Sequence, residues 1–513
     1  KMLSGDQLRA LTPDQLKAIP PANLAALSNS QIKALSELGA AEIAKLSGDE
    51  LASYIESHPI NSFDTNTISG LTAEHLQALS TDQIKQLSNA QITAINPNSL
   101  ADLNDVKFTD SFSIPQVQAL TTEQIAALSQ NALQGLGNKI KSLSVADFSA
   151  LTNEQLAQLS DTQVGALAGQ QISSLANNGK LEKIAIEKLG SAQIAALNTS
   201  QIKNLTDAVL QKISPAAIQG WTADQIKSLL LNQLEKLSAD QISGIRPTSL
   251  SGLTTAAIAQ LDATQLGGLT TSQIPKLSPS QIQAMGLDVS KLSAIQIGAM
   301  NQAQISGLSG DQLGSLSGEQ IATIKPAAIA GLSAARIGSL NSDQVSGMTG
   351  DQLSKLSKAQ ILAMDPVDIA SIVTSSISGL GVQQLSNLSS LQLAQLTTDQ
   401  IQAMIPAQMS AFSATQLGVL STDQLDAMSG EKISKLKPSS IPGLNESQIT
   451  ALGSDKLNAM TQSQIQSLTA RQLANIPKDD LKNLSPDKIS LLTQNQFKAC
   501  LLYTSPSPRD QRG

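Results

Sequence analysis

The sequence predicts an all-α solenoid of tandem short helices, with one helix for each eight-residue repeat. From Leu292 to Ala499 the chain divides, without insertion or deletion, into 26 consecutive octads of the pattern Leu-(Ser/Thr)-x-x-Gln-(Ile/Leu)-x-(Ala/Gly/Ser). A continuous α-helix is excluded because eight residues rotate by about 800°, which would wind the apolar positions around all of its faces. An extended strand is unfavourable because positions 1 and 6 would point to opposite sides, and because Ala, Leu, Gln and Ser outnumber strand-forming residues.

Each octad, with its positions numbered 1 to 8, carries its own signals for starting a helix. Ser or Thr at position 2 is a preferred N-cap, and Gln at position 5 completes a capping box with it. The apolar residues at positions 1 and 6 then occupy the two places of a hydrophobic staple. Proline is favoured at the first helical position, which is position 3 here. Eleven of the nineteen prolines fall there: Pro13, Pro21, Pro97, Pro215, Pro247, Pro279, Pro326, Pro366, Pro406, Pro438 and Pro486.

These helices depend on their neighbours for stability. Each predicted helix has about six or seven residues, which is too short to persist alone in water. The apolar residues at positions 1 and 6 form a stripe on each unit, and the small residue at position 8 permits close approach. We therefore expect short antiparallel helices to stack in a solenoid stabilised by nearest-neighbour contacts, with two octads in each superhelical turn.

The regularity of the repeat divides the chain into three parts. Residues 1–291 are predicted to form an octad-repeat solenoid with irregular units, which we interpret as bends or loops, and residues 292–499 an uninterrupted octad-repeat solenoid. Residues 500–513 depart from the pattern, and CLLYTSPSPRD, from Cys500 to Asp510, resembles a translated sequencing adapter. We expect 500–513 to be a non-native tail, and both ends of the array to be cut from a longer chain.

Charge and residue content argue against several classes of function. The net charge of −7 argues against a nucleic-acid partner, because such partners call for basic patches. No apolar run is long enough for membrane insertion.

His58 and His75 lack a second His or a Cys at ligand spacing, so we expect both to be surface residues. The many Ser residues recur as caps, without a nucleophile elbow. The sequence thus predicts no catalytic, cofactor-binding or metal site, and no cofactor.

The aromatic residues of the array are predicted to replace core Leu or Ile, and so to offer no platform on which bases or sugars would stack. They occupy position 1 (Tyr54, Phe63, Phe112, Trp221, Phe412) or position 6 (Phe108, Phe148, Phe497).

The units LTTEQIAA, LSTDQIKQ and LSADQISG resemble the L-[ST]-x-x-Q-[IL]-x-A-L arrays of large bacterial surface or secreted proteins that are described as adhesin-like or heme-utilisation proteins. INPNSLAD and IKPAAIAG are similar, more loosely, to the L-x-P-x-x-L units of the mesothelin and stereocilin group of short-helix superhelices, which bears on the fold alone. The first resemblance implies a non-catalytic scaffold or stalk, extracellular or on the cell surface, whose partner is an unknown protein or polysaccharide surface.

An alternative is an intracellular repeat module that binds one protein partner along a groove of the solenoid. Varied, exposed apolar residues at positions 4 and 7 would favour that alternative. Because these positions hold mostly Asp, Ala, Ser, Gln and Lys, the pattern favours the stalk. An enzyme would require a separate domain beyond the array.

Overall fold

The computed structural model describes residues 39–498 other than 45, 58 and 102, together with residues 3, 4, 7, 8, 10, 11, 15, 18–20, 23 and 26; at 42, 50, 53, 56 and 57 it describes the backbone alone. All regular secondary structure in this part of the chain is helical, which confirms the all-α class. The chain forms two compact units, Lys1–Leu253 and Thr254–Gly513. The division at 291/292 concerns repeat regularity and stays a prediction, and the predicted tail 500–513 lies outside the described residues.

In the first unit, short helices follow one another through extended linkers. Its α-helices span Ala40–Ile43, Gly48–Ser57, Thr65–Ser69, Ala73–Ala78, Thr81–Gln86, Asn89–Ala94, Pro97–Ala101, Asp105–Ser111, Ile114–Gln118, Thr122–Ala127, Gln130–Gly135, Val145–Ser149, Asn153–Ala157, Asp161–Ala166, Gly169–Asn177, Ser191–Ala195, Thr199–Lys203, Asp207–Lys212, Pro215–Ile218, Ala223–Ser228, Leu231–Leu234 and Ala239–Gly244. Its 3-10 helices span Ile60–Ser62, Gly137–Ser142, Leu181–Lys183, Ile186–Lys188 and Pro247–Gly252.

The second unit is built in the same way. Its α-helices span Thr255–Gln260, Ala263–Gly267, Pro279–Ala284, Ala294–Ala299, Gln302–Gly307, Gly310–Gly314, Gly318–Thr323, Pro326–Ala330, Ala334–Ile337, Ser342–Gly347, Gly350–Ser354, Lys358–Ala363, Pro366–Ile369, Thr374–Ile377, Val382–Ser386, Ser390–Ala394, Thr398–Ala403, Ala414–Gly418, Thr422–Asp426, Gly430–Ser434, Glu446–Ala451, Gly453–Ala459, Gln462–Ser467, Ala470–Ala474, Lys478–Lys482 and Pro486–Ser490. Its 3-10 helices span Ile274–Lys276, Gly286–Lys291, Pro406–Ala411 and Pro438–Gly443.

The helix-starting signals act as the sequence predicts, with one helix in each regular octad. In a typical unit the hydroxyl of Ser317 accepts from the backbone N–H of Gln320 at 3.2 Å, and Oε1 of Gln320 accepts from the N–H of Ser317 at 2.9 Å. The helix Gly318–Thr323 ends at Ile324, whose backbone is extended and whose N–H donates to the carbonyl of Ile321. Because Ile324 is also position 1 of the next octad, one residue ends a helix and leads directly into the next cap.

The number of octads in one turn differs from the prediction. Nε2 of Gln352 donates to the carbonyls of Ile321 and Ile324, 31 and 28 residues earlier. The helix Gly318–Thr323 also packs against Ser342–Gly347, which lies three octads further along the chain. One turn therefore contains three to four octads, and the expected two is wrong. The repeat length fixes the size of a unit, whereas the angle between successive helices fixes how many units close a turn.

The core of each of the two compact units is a continuous stack of the side chains at octad positions 1 and 6. Ile321, Ile324, Leu353 and Leu356 are each at most 3% exposed. The small residue at position 8 is required where turns approach closely: a Cβ placed on Gly347 would lie 2.0 Å from the backbone oxygen of Gly318. Close approach at position 8 is therefore confirmed there.

Seven of the eight predicted core aromatics are buried. Tyr54 and Phe63 are 8% exposed, and Phe108, Phe112, Phe148, Trp221 and Phe412 are at most 2% exposed. Phe497 is 47% exposed, so the core prediction is wrong for it. It lies at the end of the described residues, where no described turn follows to cover it.

Candidate functional site

The most prominent polar feature of the structure is the side chain at position 5, which joins each turn to the turn before it. Gln464, for example, accepts from the N–H of Thr461 at 2.8 Å through Oε1, while Nε2 donates to the carbonyls of Ile433 and Leu436 at 2.8 and 2.7 Å. Its side chain is fully buried. We call the series of such bonds the glutamine ladder. Because the buried amide is hydrogen-bonded within the protein, it is unavailable to a ligand.

The sequence reasoning recognised half of this role. The capping half depends on residues three positions apart and can be read locally. The donor half joins side chains and carbonyls of successive turns. Gln352 adds a second bond to the carbonyl of Ile321, which already accepts from the N–H of Ile324, and supplies a bond to the carbonyl of Ile324. The signal that could have revealed it is the preference for Gln over Glu, since a capping box accepts either residue but only Gln also donates.

His75 shows what the ladder requires of a substitute. Its ring is 1% exposed, so the prediction of a surface residue is wrong for His75. Nδ1 accepts from the N–H of Thr72 at 3.2 Å, and Nε2 lies 2.5 Å from the carbonyl of Leu46. A ring protonated at Nε2 satisfies both contacts, so His75 reproduces the cap and the donor of Gln. His58 lies outside the described residues.

Basic and hydroxyl side chains replace Gln at other units and also donate to the preceding turn. Nζ of Lys139 donates to the carbonyls of Phe108, Thr109 and Phe112 at 3.1, 2.6 and 2.6 Å, and Lys432 donates to those of Ile401 and Gln402 at 3.1 and 2.5 Å. Burial lowers the pKa of both lysines. Ser249 and Ser440 donate to the carbonyls of Trp221 and Phe412. These contacts between turns account for the basic and hydroxyl side chains at position 5 without any catalytic or binding role.

Acidic residues at position 4 lie in the first turn of their own helix, and two of them also cap the start of a helix in the preceding turn. Asp343 accepts from the N–H of Gly318 at 2.9 Å, and Glu74 accepts from the N–H of Gly48 at 3.1 Å. In both cases the donor is the first residue of a helix in the preceding turn. The carboxylates thus cap a neighbouring helix end.

Two clefts lie between consecutive turns of the second unit, at the starts of the helices. One has a volume of about 750 Å³ and is lined by segments near Thr422, Asn445 and Thr469; the other, of about 560 Å³, lies near Ser293 and Ser317. In the larger cleft Nε of Arg471 donates to Glu446 at 2.6 Å, so its two charges compensate each other. The lining of the larger cleft combines hydroxyls, amides and this pair with apolar residues such as Leu420 and Leu444, and contains no nucleophile beside a base.

Apolar side chains stand exposed at positions where the pattern is otherwise polar. At position 4 the exposed fractions are 58% for Val106, 73% for Ile295, 63% for Val367 and 71% for Leu391, and at position 7 that of Leu362 is 47%. The helices that carry Val367 and Leu391 pack against each other. Sequence reasoning passed over these residues, although the octad register places each of them on the surface.

Two kinds of site are absent from the described residues. No group of three or more His, Cys, Asp or Glu side chains is arranged to hold a metal ion. The helices in the same part of the chain all fall short of the length and apolar character needed to cross a membrane.

Comparison with known proteins gives little. No family model and no curated protein matches the chain. It is similar to a solved structure described as "Structure of APUM23-GGAUUUGACGG", with 12% identity over 85% of each chain and a TM-score of 0.16. It is also similar to "Structure of APUM23-GGAGUUGACGG", with 11% identity, 99% of this chain and 89% of that chain covered, and a TM-score of 0.13.

One prediction about partners is corrected here without being replaced. Both structures are described as APUM23 with an RNA sequence, whereas the exclusion of a nucleic-acid partner of this chain was based on net charge and does not stand. The net charge on which it depended is a sum over 513 residues and does not describe any local surface. TM-scores of 0.16 and 0.13 are too low to carry an argument that this chain binds RNA.

Proposed function

We propose that this chain is a non-catalytic repeat scaffold, a stalk-like part of a large bacterial surface or secreted protein of the adhesin type. The observation that carries the proposal is the glutamine ladder. In octad after octad, the buried polar side chain at position 5 bonds to the preceding turn and so holds the turns together. What remains outside is a repeated surface made mostly of Asp, Ala, Ser, Gln and Lys. The resemblance of the octads to bacterial surface arrays supplies the cellular setting, extracellular or at the cell surface.

A scaffold of this kind binds through many weak and similar sites, whose combined strength comes from effective concentration. The test uses the intact chain immobilised against a polysaccharide, an extracellular matrix protein, bacterial cells and RNA oligonucleotides. The exposed side chains at positions 4 and 7 are replaced by Ser in one turn of the solenoid at a time. We expect each block variant to lower binding by a similar small factor. Loss of all binding in a single block would contradict the scaffold.

A second candidate function, recognition of one protein partner, is favoured by the exposed apolar residues. Val367 and Leu391, which are 63% and 71% exposed, belong to helices in contact. Exposed apolar residues that lie close together on a surface are typical of protein interaction sites. The block variant that carries Val367→Ser and Leu391→Ser separates the candidates: a distributed scaffold loses little in this variant, whereas a discrete module loses its binding.

A further inference from the structure

Five exposed side chains of the second unit form a row that crosses five successive turns. They occupy position 4 of octads that follow one another at intervals of three octads, and each helix that carries one of them packs against the next such helix. Because the axes of packed helices lie about 8–10 Å apart, the row is about 32–40 Å long. We call this row the position 4 column, and it consists of Ile295, Glu319, Asp343, Val367 and Leu391.

Hydrogen bonds between turns align the middle of the column. The carboxylate of Asp343 accepts from the N–H of Gly318, one residue before the column member of that turn, at 2.9 Å. The hydroxyl of Ser342 donates to the carboxylate of Asp368, one residue after the column member of its own turn. In these turns the members of the column therefore stand side by side, and a ligand that lies across the helices meets them in order.

The charge around the column has a single sign. The five octads that carry the column contain no Lys or Arg, and their four acidic residues are Glu319, Asp343, Asp365 and Asp368. The ion pairs found among the described residues involve none of these four carboxylates. A surface of uncompensated negative charge favours a cationic partner.

A cleft gives this charge a place to bind a side chain. The smaller of the two clefts described above, of about 560 Å³, lies within the column and is lined by Glu319 and Asp343. A cationic side chain that enters it would lie between two carboxylates, which are the natural partners of an ammonium or guanidinium group.

Apolar side chains continue the column on both sides of the cleft. Ile295, one turn before Glu319, is 73% exposed, and Val367 and Leu391, in the two turns after Asp343, are 63% and 71% exposed. Exposed apolar residues that lie close together on a surface are typical of interaction sites. The order along the column, apolar, acidic, acidic, apolar and apolar, complements a segment whose basic residues lie between apolar ones.

We propose that the position 4 column binds a basic amphipathic α-helix of a partner protein, about 25 residues long. Two turns of an α-helix rise about 11 Å, which is close to the interval of about 8–10 Å between packed helices, so a helix along the column presents one side chain to each turn. Its basic residues bind Glu319 and Asp343 in the cleft, and its apolar residues cover the three apolar members of the column. This inference rests on the second candidate function, recognition of one protein partner, and adds the chemistry of that partner.

The test measures binding of synthetic peptides to the full 513-residue chain. The probe is a fluorescein-labelled amphipathic peptide of about 25 residues, made of Leu, Lys and Ala, and the comparison peptide has Glu in place of every Lys. One column variant carries Glu319→Gln and Asp343→Asn, and the other carries Val367→Ser and Leu391→Ser. The amide of Asp343→Asn keeps an oxygen that accepts from the N–H of Gly318, so the first variant removes charge without removing that cap.

Two control variants are matched to these changes. Asp399→Asn with Asp423→Asn removes two exposed carboxylates at position 4 of another pair of helices in contact. Val106→Ser with Ile114→Ser removes apolar residues that are 58% and 49% exposed in the first unit. Circular dichroism during heating checks that every variant is folded.

Fluorescence anisotropy with about 0.1 to 100 µM chain gives the Kd of each peptide. We expect each column variant to raise the Kd of the basic peptide at least tenfold and each control to raise it less than twofold, while the acidic peptide binds at least tenfold more weakly than the basic one. A basic peptide that fails to bind the unmodified chain overturns the proposal, as does a loss confined to one of the two column variants, because the docked helix uses both kinds of contact.

Failure of this inference is distinguishable from failure of the proposed scaffold. Equal losses of peptide binding in the column variants and the controls would show weak binding spread over the acidic surface, which overturns the discrete column and fits the scaffold. Sedimentation velocity of the chain without peptide identifies another occupant: association of the unmodified chain that both column variants abolish would assign the column to a second copy of this chain and overturn the proposal.

Discussion

An interior turn and the last described turn of the second unit follow the same octad pattern but have different environments. Ile361 and Met364 are 0% and 2% exposed, whereas Ile489 is 40% exposed at the same octad position as Ile361. The helices in both places begin at Ser caps. The difference teaches that an octad determines its own helix, while its burial depends on the octads of the following turn.

The largest expected effect comes from shortening core side chains. Ile337→Ala or Leu340→Ala, at positions 1% and 3% exposed, should each cost about 2–5 kcal/mol, because a cavity forms between turns. Ile489→Ala should cost under about 1 kcal/mol, since its side chain is already half in water. Native-state hydrogen exchange of the flanking turns measures both costs locally. Equal costs at the two sites would show that the last turn is covered in solution.

The next effect separates the two halves of the glutamine role. Gln352→Ala removes both the cap and the donor to Ile324 and Ile321, and should cost about 2–4 kcal/mol. Gln83→Ala removes the capping bond to the N–H of Ser80 and no ladder bond among the described residues, and should cost about 0.5–2 kcal/mol. Exchange protection of the helices Gly318–Thr323 and Gly350–Ser354 reports the first change. If protection falls only in Gly350–Ser354, the bonds to the preceding turn contribute nothing measurable.

Local features of the fold could be predicted because they join residues a few positions apart. The cap of Ser317 with Gln320, the proline at Pro326 and the buried pair Ile321 and Ile324 all follow from the octad itself. Packing between turns could not be predicted in the same way. A repeat length of eight does not determine the angle between successive helices. It therefore predicts neither the number of octads in a turn nor the donor role of Gln352.

Residues that interrupt the pattern were the hardest to interpret. His75 occupies a Gln position, and the lack of a second His or a Cys at ligand spacing led to the prediction of a surface residue. The structure shows instead that its two ring nitrogens imitate the amide of Gln. Conversely, Leu391 is apolar and would be assigned to the core by residue type alone. It occupies position 4 of its octad, however, and this surface position explains why it is 71% exposed.

The smallest expected effect concerns Lys432, where a cation takes the place of Gln in the ladder. Burial lowers the pKa of Lys432 below its ordinary value of 10.5, so folding disfavours its charged form. Replacing the charge by the neutral amide in Lys432→Gln should stabilise the protein at neutral pH, on the order of 1 kcal/mol. The exposed neighbour Lys435, in Lys435→Gln, is the control, with no stabilisation expected.

The sign of the pH dependence follows from proton binding. Between the lowered pKa of folded Lys432 and the ordinary value, the unfolded chain holds more protons at this residue than the folded chain, so the contribution of Lys432 to stability improves as pH rises. The advantage of Lys432→Gln should therefore be greatest near neutral pH and should shrink towards pH 10.5. Urea denaturation of the three proteins at several pH values measures this difference. An advantage that is constant with pH would mean that the shape of the amide, and not the removal of a buried charge, distinguishes Gln from Lys in the ladder.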